Sequence, residues 1–131
     1  MVSADDKVVV AILLSSGECH DAPEGRKLLL KKGKADVPIP LLMDRAYEGD
    51  ETLSLVKSLG YLPVVPPKKN RKKLWEYDKE LYKKRNVVER LFRRIKEFRR
   101  VFTRYDKLDV IYLAFIYFSF SAIWLNSVNT T

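Results

Sequence analysis

The chain has 131 residues, 47% of them apolar, which is enough for one small core and too many for a disordered tail. Its single cysteine, Cys19, excludes an internal disulfide or a thiolate metal cluster and suits a reducing cytoplasm; Met1 to Lys7 is polar and carries no secretory pattern. The net charge of +8 is unevenly spread: residues 1–66 hold 8 basic and 10 acidic side chains, residues 67–131 hold 17 and 7, and those 17 all lie between Lys68 and Lys107. Such a block suits a polyanion, nucleic acid first, with a solvated charged face as the alternative.

In chain order, Val8 to Leu14 is a β-branched apolar run that predicts a buried strand. Ala4 to Lys7 predicts a tight turn before it, with Met1 to Ser3 as the end of a partner strand. Asp21-Ala22-Pro23-Glu24 predicts a helix start, Asp21 as cap, with the helix running to about Lys32 and stopping at Gly33. Val37 to Met43 predicts a strand ending at Asp44, Asp50 caps a helix through Leu59, Gly60 ends it, and Tyr61 to Val65 predicts a third strand. Alternating strands and helices imply an α/β layer arrangement, with 1–131 as a single domain.

Lys68 to Lys73 reads as a basic loop, and one long basic helix is predicted from about Lys79 to Thr103. Leu108 to Leu125 is apolar almost throughout, but its uncharged core, Val110 to Leu125, is 16 residues. A bilayer needs about 20, so a C-terminal helix covering the sheet is the expectation and a membrane span the alternative. Adjacent Cys19 and His20 are too few for a metal site and read as loop residues.

On a wheel for the long helix, Tyr82, Arg85, Glu89 and Lys96 fall within roughly 60° of one another. Val87, Val88, Leu91, Ile95, Phe98 and Phe102 form an opposite, core-facing arc, while Arg90, Arg93, Arg94, Arg100 and Arg104 spread over the polar side. Glu89, with Arg85 and Arg93 one turn away on either side, is either a partner in surface i, i+4 ion pairs or a metal-binding carboxylate beside phosphate-binding cations. The second requires another carboxylate, because Mg²⁺ is usually shared by one or two carboxylates with substrate phosphates. Asp44, at the C-terminal end of a predicted strand, is the candidate; a turn-forming Asp is the alternative there.

The spacing Tyr82-x2-Arg85-x3-Glu89-x6-Lys96 resembles the signature around the catalytic glutamate of DDE-type insertion-sequence transposases. Met43-Asp44-Arg45-Ala46-Tyr47, Arg85 to Arg90 and Phe98 to Asp106 also resemble words of that family. The resemblance covers roughly residues 1–125. It implies an RNase H-like fold, here a C-terminal part of the catalytic domain, in which two aspartates and a glutamate hold two Mg²⁺ or Mn²⁺ ions for in-line phosphoryl transfer on DNA. Asp44 matches the second aspartate and Glu89 the glutamate. Arg85 and Lys96 match phosphate-holding cations and Tyr82 a residue beside the substrate strand; Arg93, Arg100, Lys68, Lys69, Arg71, Lys72 and Lys73 join the expected DNA surface. The first aspartate is expected upstream of Met1, since Asp5 and Asp6 sit in the turn of the following hairpin. The partners implied are transposon-end and target DNA, a homo-oligomer, and an upstream polypeptide supplying that aspartate; the place is a prokaryotic cytoplasm. A catalytically inactive DNA-binding or regulatory fragment is the runner-up, and a small basic membrane-anchored protein a third reading.

Overall fold

A computed structural model describes residues 1–2 and 9–128. They fall into two compact units, Ser15–Arg85 and Met1–Leu14 with Asn86–Thr131. The elements are α1 (Asp21–Lys32), β1 (Ile39–Leu42), the short 3₁₀ turn η1 (Arg45–Tyr47), α2 (Asp50–Ser58), β2 (Tyr61–Val64), α3 (Lys79–Lys83), α4 (Asn86–Ile95), α5 (Arg99–Phe102) and α6 (Asp109–Val128). The mixture of helices with a small sheet is compatible with the α/β class.

In the Ser15–Arg85 unit, β1 and β2 pair in parallel, with Ile39 opposite Tyr61 and Leu42 opposite Val64. A parallel pair requires a crossover, and η1 with α2 provides it. The apolar runs that predict the strands are right, trimmed at their ends: Met43 and Val65 lie just past them, and the Met43 amide still donates to the Val64 carbonyl at 3.0 Å. α2 packs on β2, and α1 packs on η1 and α2. Leu29, Met43, Val56, Leu59, Tyr61, Val64 and Val65 are buried. Arg26 Nη1 donates to the buried Thr52 hydroxyl at 3.2 Å, which ties α1 to α2. The cap of α1 is His20 rather than Asp21, without a side-chain bond, and Gly33 ends the helix at φ 84° as predicted. Gly60 adopts φ 82° between α2 and β2.

The other unit departs further from expectation. Val9 bridges Val2 in antiparallel fashion, and the Val10 and Ala11 amides both donate to the Met1 carbonyl, so the predicted hairpin pairing exists. Its turn, Ala4 to Lys7, and Val8 lie outside the described residues. From Val10 to Leu14 no strand forms beyond these bonds.

The single long helix from Lys79 to Thr103 is instead three helices, interrupted at Lys84–Arg85 and at Lys96–Phe98. At both breaks the backbone tightens into i to i+3 bonds, Arg85 to Tyr82 and Phe98 to Ile95. Like charges one turn apart weaken a helix, and α3 buries no side chain that would hold it in line with a successor. The common face for Tyr82, Arg85, Glu89 and Lys96 therefore does not follow from one wheel. Tyr82 is on α3, Arg85 follows it, Glu89 is on α4, and Lys96 lies just past α4. The core arc survives in part: Leu91 and Ile95 are buried with Ile123, and Val2, Val9, Phe98, Val101, Ile116 and Phe120 pack around them. Phe102 is 68% exposed, on the separate α5.

α6 packs on α4 and α5. The Tyr112 hydroxyl donates to the Val101 carbonyl at 3.1 Å, and Arg104 pairs with Asp109 while lying 4.8 Å over the Tyr112 ring. Only one stripe is covered, however: Ser119 and Ile123 are buried, whereas Val110, Phe118 and Leu125 are exposed. Asp109–Ser127, 19 residues at mean hydropathy 1.5, is long and apolar enough to cross a membrane, so length alone does not exclude a span as the 16-residue core suggested.

Candidate functional site

Because β1 and β2 are parallel, their C-terminal ends share one edge of the sheet, the side on which open α/β sheets bind ligands. Asp44 stands there. It caps η1, its Oδ1 accepting from the Arg45 amide at 2.5 Å, and its Oδ2 accepts from Arg85 Nη1 at 3.3 Å. The Asp44 side chain is 57% exposed. The Arg85 guanidinium also lies 5.5 Å over the Tyr82 ring. Tyr82 in turn meets Tyr77 edge-on, the centroids 5.5 Å apart. Burial raises the Tyr82 phenol above its ordinary range, against the pull of Arg85, so its hydroxyl keeps its proton at neutral pH. Three residues singled out by spacing, Asp44, Tyr82 and Arg85, are thus gathered on one surface although 41 positions separate Asp44 from Arg85.

The basic loop adjoins this edge. Lys68, Lys69, Lys72 and Lys73 are exposed. Arg71 is not: its side chain is 22% exposed and turned onto Glu48, the residue that ends η1. Nη1 donates to the Glu48 carbonyl at 3.3 Å and to its Oε2 at 3.2 Å, and the guanidinium also pairs with Asp50. Neither Glu48 nor Trp75 belongs to a motif in the sequence; the Trp75 ring lies 4.8 Å below Arg71. No local signal joins Glu48 to a residue 23 positions away.

The remaining candidates lie in the other unit. Glu89 is in the first turn of α4, where a carboxylate complements the helix dipole. Arg93 is in the last turn of α4 and exposed, as is Lys96 beyond it. Arg100 on α5 stacks 4.6 Å over the Phe115 ring of α6, which anchors its stem while leaving the residue exposed.

Asp44 offers the hard oxygen that Mg²⁺ prefers. Both of its oxygens already accept hydrogen bonds, and among the described residues no group of three or more His, Cys, Asp or Glu is placed to hold a metal ion. The donor type fits a divalent ion; the donor number does not. Cys19 and His20 are exposed, with Cys19 Sγ 3.2 Å from the Ser16 hydroxyl, as loop residues.

Comparison with known proteins settles the family. A family model described as a transposase DDE domain matches residues 41–126, well over half of the chain. The chain belongs to the DDE transposase family. The matched segment includes Asp44, Tyr82, Arg85, Glu89 and Lys96, and it continues through α6 as far as Asn126. A transposase for insertion sequence element IS6501 from Brucella ovis is 28% identical over 114 residues, 83% of this chain and 82% of the relative. No solved structure gives a significant match. The chain is thus a DDE transposase-family protein of the insertion-sequence type, and its general activity class is DNA transposition.

Proposed function

We propose that this chain contributes Asp44 and Glu89 as metal-binding carboxylates, and its basic residues as the DNA-backbone surface, of a transposase that cleaves and joins DNA strands by in-line phosphoryl transfer. The observation that carries the reading is the family match across both carboxylates, with Asp44 at the ligand-binding edge of a parallel strand pair. One RNase H-like catalytic domain over residues 1–131 belongs to the same proposal. Tyr82, Arg85, Arg93, Lys96, Arg100 and the Lys68–Lys73 lysines would hold phosphates without reading base sequence. Bound divalent ions, Mg²⁺ or Mn²⁺, would supply the charge stabilisation that phosphoryl transfer needs. The third carboxylate comes from an upstream polypeptide, the working state is a homo-oligomer on transposon-end and target DNA, and the place is a prokaryotic cytoplasm, with no membrane partner. Inclusion of most of α6 in the matched segment supports a domain helix over an anchor.

A second reading, a DNA-binding or regulatory chain without strand-transfer activity, is favoured by the count of carboxylates: the resemblance assigns two here where the chemistry uses three. One experiment separates the two. The chain is incubated with transposon-end DNA and Mg²⁺, alone and with an upstream polypeptide carrying an Asp-bearing strand. Cleavage only in the mixture, lost on Asp44→Asn or Glu89→Gln, supports the transposase reading; cleavage that survives both substitutions removes the site assignment. DNA binding with no cleavage in either case supports the second reading.

A further inference from the structure

We infer that Arg71 is a positioning residue, seating the Lys68–Lys73 segment on Glu48 so that Lys68, Lys69, Lys72 and Lys73 form one phosphate-facing rim beside the turn that starts at Asp44. The inference rests on the DNA-binding reading above and assigns Arg71 a role within it that charge counting does not suggest. Glu48 is 6% exposed, and a carboxylate so buried is costly unless it is paired. Its partners all come from the basic segment: Arg71 Nη1, the Lys68 ammonium at 3.6 Å and the Lys68 amide at 3.4 Å. The Arg71 fork also holds the Glu48 carbonyl and Asp50, and its face is covered by Trp75 at 4.8 Å. Trp75 Nε1 donates to the Val65 carbonyl at 3.0 Å, so the segment is fastened to the end of β2 as well. A phosphate that captured Arg71 would strip Glu48 of its main partner, whereas Lys69, Lys72 and Lys73 are exposed and can meet a backbone at no such cost, and Lys68, 53% exposed, holds Glu48 by a longer contact of 3.6 Å. Preorganising them reduces the ordering that binding would otherwise require.

The test is a salt titration of non-specific duplex DNA binding by the full chain and its Glu48→Gln, Arg71→Lys, Trp75→Phe and Lys72→Ala variants, with amide exchange at Lys68 as an independent readout. Glu48→Gln removes a negative charge, so charge summation alone predicts tighter binding; the positioning role predicts binding weaker by roughly threefold to tenfold, the worth of about one ordered side chain. Arg71→Lys keeps the charge but not the planar fork, and Trp75→Phe leaves the charge untouched; both should weaken binding and speed Lys68 exchange. Lys72→Ala should lower the salt slope by about 0.9 with exchange at Lys68 unchanged. Tighter binding by Glu48→Gln, wild-type behaviour of Arg71→Lys, or unaltered Lys68 exchange in both overturns the inference while the DNA-binding reading stands. A wild-type chain with no salt-dependent binding overturns that reading and this inference with it.

Discussion

At Gly25, in the middle of α1, an added Cβ would fall well inside van der Waals contact with the ring of Tyr47. A mid-helix glycine ordinarily weakens a helix; here it lets α1 lie close against η1, the turn that Asp44 caps. Gly25→Ala should therefore destabilise by about 1–3 kcal/mol through overpacking, where an exposed helix site would gain, and pairing it with Tyr47→Ala should recover part of the loss in denaturant melts. Tyr47 carries a second consequence. Burial first, then the Asp21 and Asp44 carboxylates, raise its phenol above the ordinary value of 10.0. The folded chain then holds its proton at pH values where the unfolded chain has lost it. This contribution to stability is fully present below about pH 10 and is lost as pH rises through the elevated folded value. Melts at increasing pH should show that decline, and Tyr47→Phe should make it shallower.

Among the elements, α4 is defined by what it buries. Leu91 and Ile95 are one turn apart and meet Ile123 of α6, so helix and partner stabilise each other even though α4 is short. Leu91→Ala should cost about 2–5 kcal/mol, the range for a buried Leu truncation. Phe102→Ala, which periodicity would rank with it, should change stability by less than about 0.5 kcal/mol, because the ring is on the surface. Equal costs would mean that the helix runs unbroken past Phe98. The packing of α6 leads in the same direction: vesicle flotation should leave the folded chain in the soluble fraction, with recovery in the membrane layer alone counting against a domain helix.

For the whole molecule, the segment Lys68–Lys107 sets the behaviour, with 17 basic and 6 acidic side chains. Non-specific duplex affinity should fall steeply between about 50 and 200 mM salt, through loss of counterion release. Arg71 and Arg85 are engaged in ion pairs within the fold, so the slope should be smaller than a count of all 17 would require. A flat response would remove the polyanion reading of the charge block. On the proposed assignment, which gives Asp44 and Glu89 to a chemistry that uses three carboxylates, binding should occur without strand cleavage by the chain alone.

The parts legible in the sequence are those encoded by neighbours. Gly33 and Gly60 punctuate their helices because only glycine takes a positive φ without strain. Ile39–Leu42 and Tyr61–Val64 announce themselves as apolar runs between turn residues, and the Asp44, Tyr82, Arg85 and Glu89 words were enough to suggest the family that the comparison then confirmed. Where the sequence misled, local propensity met a tertiary condition it does not contain. Val10 to Leu14 has strand composition, yet its backbone bonds to Met1 alone do not make a strand. Lys79 to Thr103 has helical periodicity throughout, yet its first break follows α3, which buries no side chain that would offset the repulsion of its charges. Only the tertiary structure could decide which cations stay on the surface. Arg71 and Lys72 are adjacent and alike in sequence, but a buried carboxylate 23 positions before Arg71 turns one inward and leaves the other exposed, because a buried charge must find its partner wherever the chain brings one.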